Sequence, residues 1–154
     1  MRRLIIGLAA ALVAQLAAGQ EDMSLEDYAA LMESNRMAIA EVDAAVDAEA
    51  YDDARVHIAV LRRNFQELRR FWSARGQADA NSIVRDGLGR LAALEELLGR
   101  FGLFQSSGEV PVALVREAAE EFRSAVCAAC HDAYREGDRQ TGFRFREGVY
   151  QEFE

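Results

Sequence analysis

The sequence predicts an all-α fold, an antiparallel up-down-up-down four-helix bundle. Pro111 is the only proline, alanine is abundant, and no stretch is rich in β-forming residues. Four successive segments carry apolar residues at alternating spacings of three and four, the pattern of a helix with one buried face. Because short loops join these segments, neighbouring helices are expected to run antiparallel around a single core.

The first predicted helix spans residues 24–47. Ser24 is followed three positions later by Asp27, which resembles a capping box at the helix start. The alternation of apolar spacings continues without a break, as the seam of a bundle requires. The apolar face consists of Leu25, Tyr28, Met32, Asn35, Ile39, Val42 and Val46.

The second predicted helix spans residues 52–74. We expect Asp52 or Asp53 to cap its start, because a short carboxylate accepts hydrogen bonds from the free N–H groups of a first turn. Gly76 lies just past its end, where glycine readily adopts the left-handed capping conformation. The apolar face consists of Ala54, Ile58, Leu61, Phe65, Leu68 and Trp72.

The third predicted helix spans residues 79–100, and Gly99 or Gly102 is expected to end it. Gly87 and Gly89 weaken this helix. They either admit the close approach of a neighbour or of a cofactor, or they let the helix fray. The apolar face consists of Val84, Leu88, Leu91, Leu94 and Leu98.

The fourth predicted helix spans residues 110–136. Pro111 suits its first turn, where no backbone N–H is needed. Gly137 is expected to end it. The apolar face consists of Val112, Val115, Ala119, Phe122, Val126 and Cys130.

The most specific pattern in the chain is Cys127-Ala128-Ala129-Cys130-His131. C-x-x-C-H is the attachment motif for a c-type haem. Thiols three positions apart lie on one face of a helix, where they can add to the two vinyl groups of one porphyrin. The sequence therefore predicts one covalent haem c on Cys127 and Cys130, with His131 as the first axial ligand of the iron.

The cysteine pair has alternative uses. It is also compatible with a dithiol redox couple, a structural disulfide or half of a zinc site. A thioredoxin-like dithiol lies early in its domain, at the first strand-to-helix turn, whereas this pair lies near the C-terminus. A four-ligand zinc site needs two more ligands, and His57 is the only other candidate of that kind.

The N-terminus resembles a secretory signal peptide, expected to be cleaved after Gly19. Met1-Arg2-Arg3 is a cationic start, and residues 4–18 form an apolar run that ends in small residues. This run is about 15 residues long, shorter than the ~20 that span a bilayer, although an uncleaved anchor is the alternative. Because haem is attached to c-type proteins after export, the leader and the motif support each other and predict a periplasmic protein.

The chain is strongly acidic, with a formal net charge of −8. Cleavage would remove Arg2 and Arg3 and leave a charge of −10. All 18 basic residues are arginines. This balance argues against nucleic acid or an anionic membrane as a partner, so no stable membrane insertion is expected, and it favours docking to basic proteins.

Residues 127–135 read C-A-A-C-H-D-A-Y-R and resemble the C-x-x-C-H-x-x-(Tyr/Phe)-Arg signature of the class II cytochromes c, the cytochrome c′ family. The number, order and lengths of the predicted helices agree as well, so the resemblance covers residues 22–136. It implies that Cys127 and Cys130 hold the haem and that His131 is the proximal ligand. It also implies that Arg135 lies alongside the proximal pocket, unless it is only a solvated cation at a helix C-terminus.

In this family the residue on the distal side of the iron decides the function. Members with an apolar residue there are five-coordinate and bind gases such as nitric oxide, whereas members with methionine are six-coordinate, low-spin electron carriers. Met32 lies on the apolar face of the first predicted helix, and Leu31-Met32 resembles the Leu-Met pair of the methionine-ligated members. We therefore expect Met32 to be the distal ligand, the alternative being that it only fills the core.

Four other side chains are candidates for distal ligands of the iron or for contacts of the haem. Met37 should face elsewhere on the helix, and Met23 precedes it. His57 lies beside the apolar face of the second helix, which this family does not turn toward the iron, so a boundary position is favoured over bis-histidine ligation. Tyr28 stands where many members carry an arginine. We expect it to hydrogen-bond a propionate or shield the haem edge, or else to be a core aromatic residue.

The resemblance implies an electron carrier, not an enzyme, that works with periplasmic redox proteins. A five-coordinate gas-binding cytochrome c′ is the alternative. A peroxidase is disfavoured because the predicted distal face offers Met32 and Asn35 but no histidine for acid–base chemistry. A helical interaction module without haem is a further alternative, but it would require the C-x-x-C-H sequence to have arisen by chance. Many members of the family form homodimers through their first two helices.

The chain thus divides into a leader at residues 1–19, a cytochrome domain at 20–137 and a C-terminal extension at 138–154. The extension continues past the usual end of the family. Its four aromatic residues are unusual for a free tail. They favour packing over the haem edge or another apolar groove, or contact with a partner: Phe143, Phe145, Tyr150 and Phe153.

Overall fold

The computed structural model describes residues 23–103, 112–138 and 140–149, and these are mostly helical, which confirms the all-α class. The predicted leader with its cleavage site, Pro111 and the last five residues lie outside the described ranges. The elements are α1 Leu25–Asp47, α2 Tyr51–Ala74, α3 Ala78–Leu103, α4 Val112–Phe122, a π-helical segment Arg123–Ala128, α5 Ala129–Tyr134, β1 Arg135–Asp138 and β2 Gly142–Phe145.

The start of α1 confirms the predicted capping box. The Ser24 hydroxyl accepts a hydrogen bond from the Asp27 backbone N–H at 3.1 Å, and the Asp27 carboxylate accepts one from the Ser24 backbone N–H at 3.2 Å. The Ser24 hydroxyl also donates to the Asp27 carboxylate at 2.6 Å, and this bond, followed by the one from the Ser24 backbone N–H, lowers the pKa of Asp27 because both stabilise the ionised carboxylate. The two residues thereby satisfy donors that a helix start leaves free.

The predicted cap of α2 is wrong. The N-cap residue is Ala50, which has no side-chain cap, and Asp52 and Asp53 lie inside the first turn. Carboxylates there are still favourable, because they face the positive end of the helix dipole. The predicted end is confirmed: α2 stops at Ala74, and Gly76 follows with a left-handed φ of 64°.

The glycines of α3 do not act as predicted stops. The helix runs through Gly99 and on to Leu103, because glycine inside a helix lowers its stability without ending it. Gly87 has a packing role. A Cβ at this position would lie 2.6 Å from the Phe65 ring and 2.8 Å from Val126 Cγ1, so the absence of a side chain lets α2 and the π segment approach α3.

The predicted apolar faces meet in one core. α2 packs against α1 and α3, and α4 packs against the same two helices. The face of α2 is buried along its whole length, whereas α1 begins with Leu25 42% exposed. Along the described helices, no stretch combines the length and the apolar character needed to span a bilayer. The largest fully buried side chains are Trp72, Phe71, Ile58, Leu61, Leu91, Leu98, Val84, Val115 and Val126.

A buried polar pair joins α1 to α2. Asn64 Nδ2 donates to Asn35 Oδ1 at 3.0 Å and to Ser34 Oγ at 2.9 Å. Both asparagines are buried. A buried amide without a partner costs about 1–3 kcal/mol, so this pair favours the helix alignment in which the two residues meet.

The fourth predicted helix is continuous but not uniform. α4 passes into the π segment and then into α5 with helical backbone angles at both junctions. A π turn holds more residues than an α turn, so side chains four positions apart lie more nearly on one face. Val126 is buried together with Phe122, and Cys127 packs half-buried against the core. Ser124 supports the irregular turn by donating to the Glu120 carbonyl at 3.0 Å.

The chain after Tyr134 leaves the helix and forms an antiparallel hairpin, so the helix predicted to reach residue 136 ends two residues early. β1 pairs with β2 in a register that sets Arg135 opposite Phe145. The Asp138 carboxylate accepts hydrogen bonds from the turn, including the Thr141 N–H at 2.7 Å. The predicted boundary after Gly137 therefore falls inside the hairpin.

Candidate cofactor-binding site

The cysteines and histidine of the C-x-x-C-H motif lie together at the end of the fourth helix. Cys127 belongs to the π segment, and Cys130 and His131 belong to α5. Both thiols are free, and all three side chains are half-buried. The motif is anchored by Val126, which is 1% exposed and packs into the space left by Gly87.

Burial controls the protonation of these groups. It raises the pKa of the Cys127 thiol and of the Cys130 thiol to about 11. It also lowers the pKa of His131, and the positive charge of Arg135 lowers it further, against the opposing effect of Asp132. Two neutral thiols and a neutral imidazole are therefore expected at neutral pH.

This chemistry argues against two alternative uses of the cysteines. A dithiol redox couple depends on a thiol with a lowered pKa, because the thiolate is the reactive form. Within the described ranges, no three His, Cys, Asp or Glu side chains come together in a way that could hold a metal ion, so a cysteine-based zinc site has no second half there. Two neutral thiols followed by a neutral imidazole instead fit thioether formation and iron ligation.

An aromatic cluster lies beside the motif. We use this term for Tyr28, Phe71, Trp72, Tyr134 and Phe145. The Tyr28 ring lies 4.6 Å from Phe71 and 4.9 Å from Phe145 between centroids, and Trp72 lies 5.0 Å from Tyr134. Tyr134 follows His131 by three residues on α5, so the cluster directly adjoins the motif.

Tyr28 places α1 next to the motif. Burial strongly raises the pKa of its phenol, the negative charge of a Cys130 thiolate would raise it further, and Arg135 acts in the opposite direction. Met32 is four residues later, on the same face of α1, and packs half-buried against the core. Met37 is 56% exposed, as expected of a residue that faces elsewhere, and Met23 packs against the core ahead of α1.

Two further candidates remain: His57 lies far from the motif, and Arg135 lies in a different element from the one predicted. His57 lies fifteen residues before Trp72 on α2, roughly 22 Å along the helix axis, in a shallow depression that it shares with Glu41 and Asp53. Arg135 does not continue the helix one turn beyond His131. It begins β1, with its guanidinium 4.1 Å from the centroid of the Phe143 ring, because hairpin pairing replaces the last helical turn.

Three residues of the site region were missed in sequence analysis, and Phe71 was not singled out at all. Trp72 appeared only as a core residue, and Phe145 only as part of a tail. The alternation Phe143-Arg144-Phe145-Arg146, preceded by glycines at 137 and 142, was the available signal for a strand that turns one aromatic face toward the bundle. Comparisons with protein-family models, with curated proteins and with solved structures gave no match.

Proposed function

We propose that this chain is a periplasmic c-type cytochrome that carries single electrons through one covalent haem c and is not an enzyme. Cys127 and Cys130 form the thioethers, His131 is the proximal ligand and Met32 the distal ligand. One observation carries the proposal: a half-buried C-x-x-C-H motif lies against an aromatic cluster to which the Met32-bearing helix contributes Tyr28.

The proposed architecture is an up-down-up-down bundle. Tyr28, near the start of α1, packs on Phe71, near the end of α2. Asp47, at the end of α1, pairs with Arg116, near the start of α4, at 2.6 Å. Contacts between opposite ends of neighbouring helices are those expected of antiparallel packing. In such a bundle the end of the fourth helix and the start of the first helix are close to each other.

The bound haem would supply a one-electron Fe(III)/Fe(II) couple. The chain contributes His131 and the Met32 thioether, a ligand pair that raises the reduction potential. Met32 lies one helical turn beyond Tyr28, on the face of α1 that reaches the motif region. The cluster residues exclude water on this side of the motif, since Phe71 and Trp72 are almost fully buried.

The partners proposed are redox proteins of the periplasm. The acidic surface favours encounter with basic partners and disfavours nucleic acid. Arginines of the described part often pair with carboxylates at 2.6–2.8 Å, as Arg123 does with Asp43 and Arg90 with Glu121. Because carboxylates outnumber arginines, the net field remains negative.

Optical spectroscopy of the purified exported protein tests the proposal. We expect haem that resists acid–acetone extraction, and a reduced spectrum with sharp α and β bands that carbon monoxide leaves unchanged. The double variant Cys127→Ala/Cys130→Ala is the matched control and should yield extractable haem or none. Wild-type protein without covalent haem would contradict the proposal. A high-spin spectrum that shifts with carbon monoxide would replace the electron carrier by the five-coordinate gas-binding alternative.

A further inference from the structure

Trp72 carries a buried polar group that the fold itself does not use. Its side chain is 0% exposed, and its indole N–H has no hydrogen-bond partner among the described residues. Burying a donor without an acceptor is costly, and native proteins rarely do so without a functional reason. The rings of Phe71 and Phe145 lie nearly perpendicular to Trp72, at centroid distances of 5.0 and 5.6 Å, and an aromatic ring is a much weaker hydrogen-bond acceptor than an oxygen.

The position of Trp72 links this donor to the motif. Its ring lies 5.0 Å from that of Tyr134, which is one helical turn beyond His131. The same end of the bundle also carries a positive charge, because the Arg75 guanidinium lies 3.7 Å from the centroid of the Phe71 ring. An enclosed N–H and a nearby cation suit a negatively charged oxygen acceptor.

The chemistry of haem c narrows the choice of acceptor. An indole N–H only donates, so it requires an acceptor. Once the vinyl groups have become thioethers and the pyrrole nitrogens hold iron, the propionate carboxylates are the hydrogen-bond acceptors that remain on the porphyrin edge. We propose that Trp72 is a haem-binding residue whose indole N–H donates a hydrogen bond to one propionate. This inference rests on the proposed function.

The hydrogen bond has a measurable consequence. It stabilises the ionised propionate and therefore holds the pKa of that carboxyl down. A negative propionate favours ferric over ferrous haem, so the reduction potential falls as pH rises through this ionisation. Removing the donor should move that fall to higher pH. The shift should be about one to two pH units, because a hydrogen bond to a charged group is worth about one to two times the energy of one pKa unit.

The test compares Trp72→Phe with the wild type in the haem-loaded protein, by measuring reduction potential against pH. Tyr51→Phe is the matched control. It removes a second buried polar group that has no partner among the described residues, but it does so at the start of α2, far from the motif. We expect the potential–pH inflection to shift upward in Trp72→Phe and to stay in place in Tyr51→Phe.

A second measurement needs no variant. Trp72 is the only tryptophan, so the ultraviolet resonance Raman band of the indole N–H bend belongs to it alone. In the haem-loaded protein, we expect this band at the frequency of a strongly hydrogen-bonded indole N–H. Covalent haem with an unmoved inflection or a free indole N–H would overturn this inference and leave the proposed function standing. Protein without covalent haem would overturn both.

Discussion

At the scale of single residues, the two methionines within α1 offer a matched comparison. Met32 packs half-buried against the core, one turn beyond Tyr28, whereas Met37 is 56% exposed. If Met32 ligates the iron, Met32→Ala should convert the haem from low spin to high spin and open it to carbon monoxide. Met37→Ala should leave the spectrum unchanged. Optical titration with carbon monoxide distinguishes the variants, and a Met32→Ala protein that stays low-spin would rule out this ligand.

Gly87 and Gly89 of α3 should respond to substitution by alanine in opposite ways. A Cβ at Gly87 would meet Phe65 and Val126 at 2.6 and 2.8 Å, so Gly87→Ala should destabilise the protein by about 1–3 kcal/mol through overpacking. A Cβ at Gly89 has no described neighbour within 4 Å, so Gly89→Ala should stabilise it by about 0.5–1 kcal/mol. Urea unfolding measures both. Equal effects of the two substitutions would show that α2 and the π segment do not depend on the gap at Gly87.

Single residues could be assigned from the sequence where their structure depends only on neighbouring residues in the chain. The spacing of Ser24 and Asp27 identified the start of α1, because each side chain satisfies the other's backbone. Asp52 and Asp53 are also residue types that commonly cap helices, but α2 starts before them and its N-cap residue is Ala50. Packing of the adjacent Tyr51, which is 4% exposed, outweighs a side-chain cap. A capping preference alone could not reveal that contact.

At the scale of elements, the C-terminal hairpin is the main departure from the predicted helices. Its positive-φ glycines, at positions 137 and 142, allow β1 and β2 to close tightly. The π segment could not be predicted either, because its sequence has ordinary helix propensity and its wider turn depends on how Val126 fits against α3. In the π segment, tertiary contact therefore overrides a helical pattern that the sequence carries locally.

The hairpin should be held to the bundle mainly by Phe145. This ring contacts Tyr28, Phe71 and Trp72, whereas Phe143 is 52% exposed and meets Arg135. Phe145→Ala should cost roughly 1–3 kcal/mol, less than a fully buried phenylalanine because the residue is half-buried. Phe143→Ala should cost at most about 1 kcal/mol. Hydrogen exchange of the β1 and β2 amides reports whether the hairpin detaches. Unchanged protection in Phe145→Ala would disprove its anchoring role.

At the scale of the whole molecule, net charge should govern encounter with redox partners. The chain has a formal charge of −8, and local ion pairs such as Asp47–Arg116 leave an excess of carboxylates. Screening shortens the reach of this field to about 10 Å at 0.1 M salt. Electron exchange with a basic redox protein should therefore slow by about tenfold or more between low and physiological ionic strength.

Stopped-flow reduction of the haem-loaded protein at a series of salt concentrations measures this effect. An acidic redox protein of similar size is the matched control, and its rate should rise with salt because screening weakens repulsion. A small neutral reductant should react at a rate that salt hardly changes. If the rates with the basic and the acidic partner changed in the same way with salt concentration, a local charged patch would control docking, and not the net charge of the chain. Because Arg75 and Arg135 both lie at the motif end, such a patch would be sought around the aromatic cluster first.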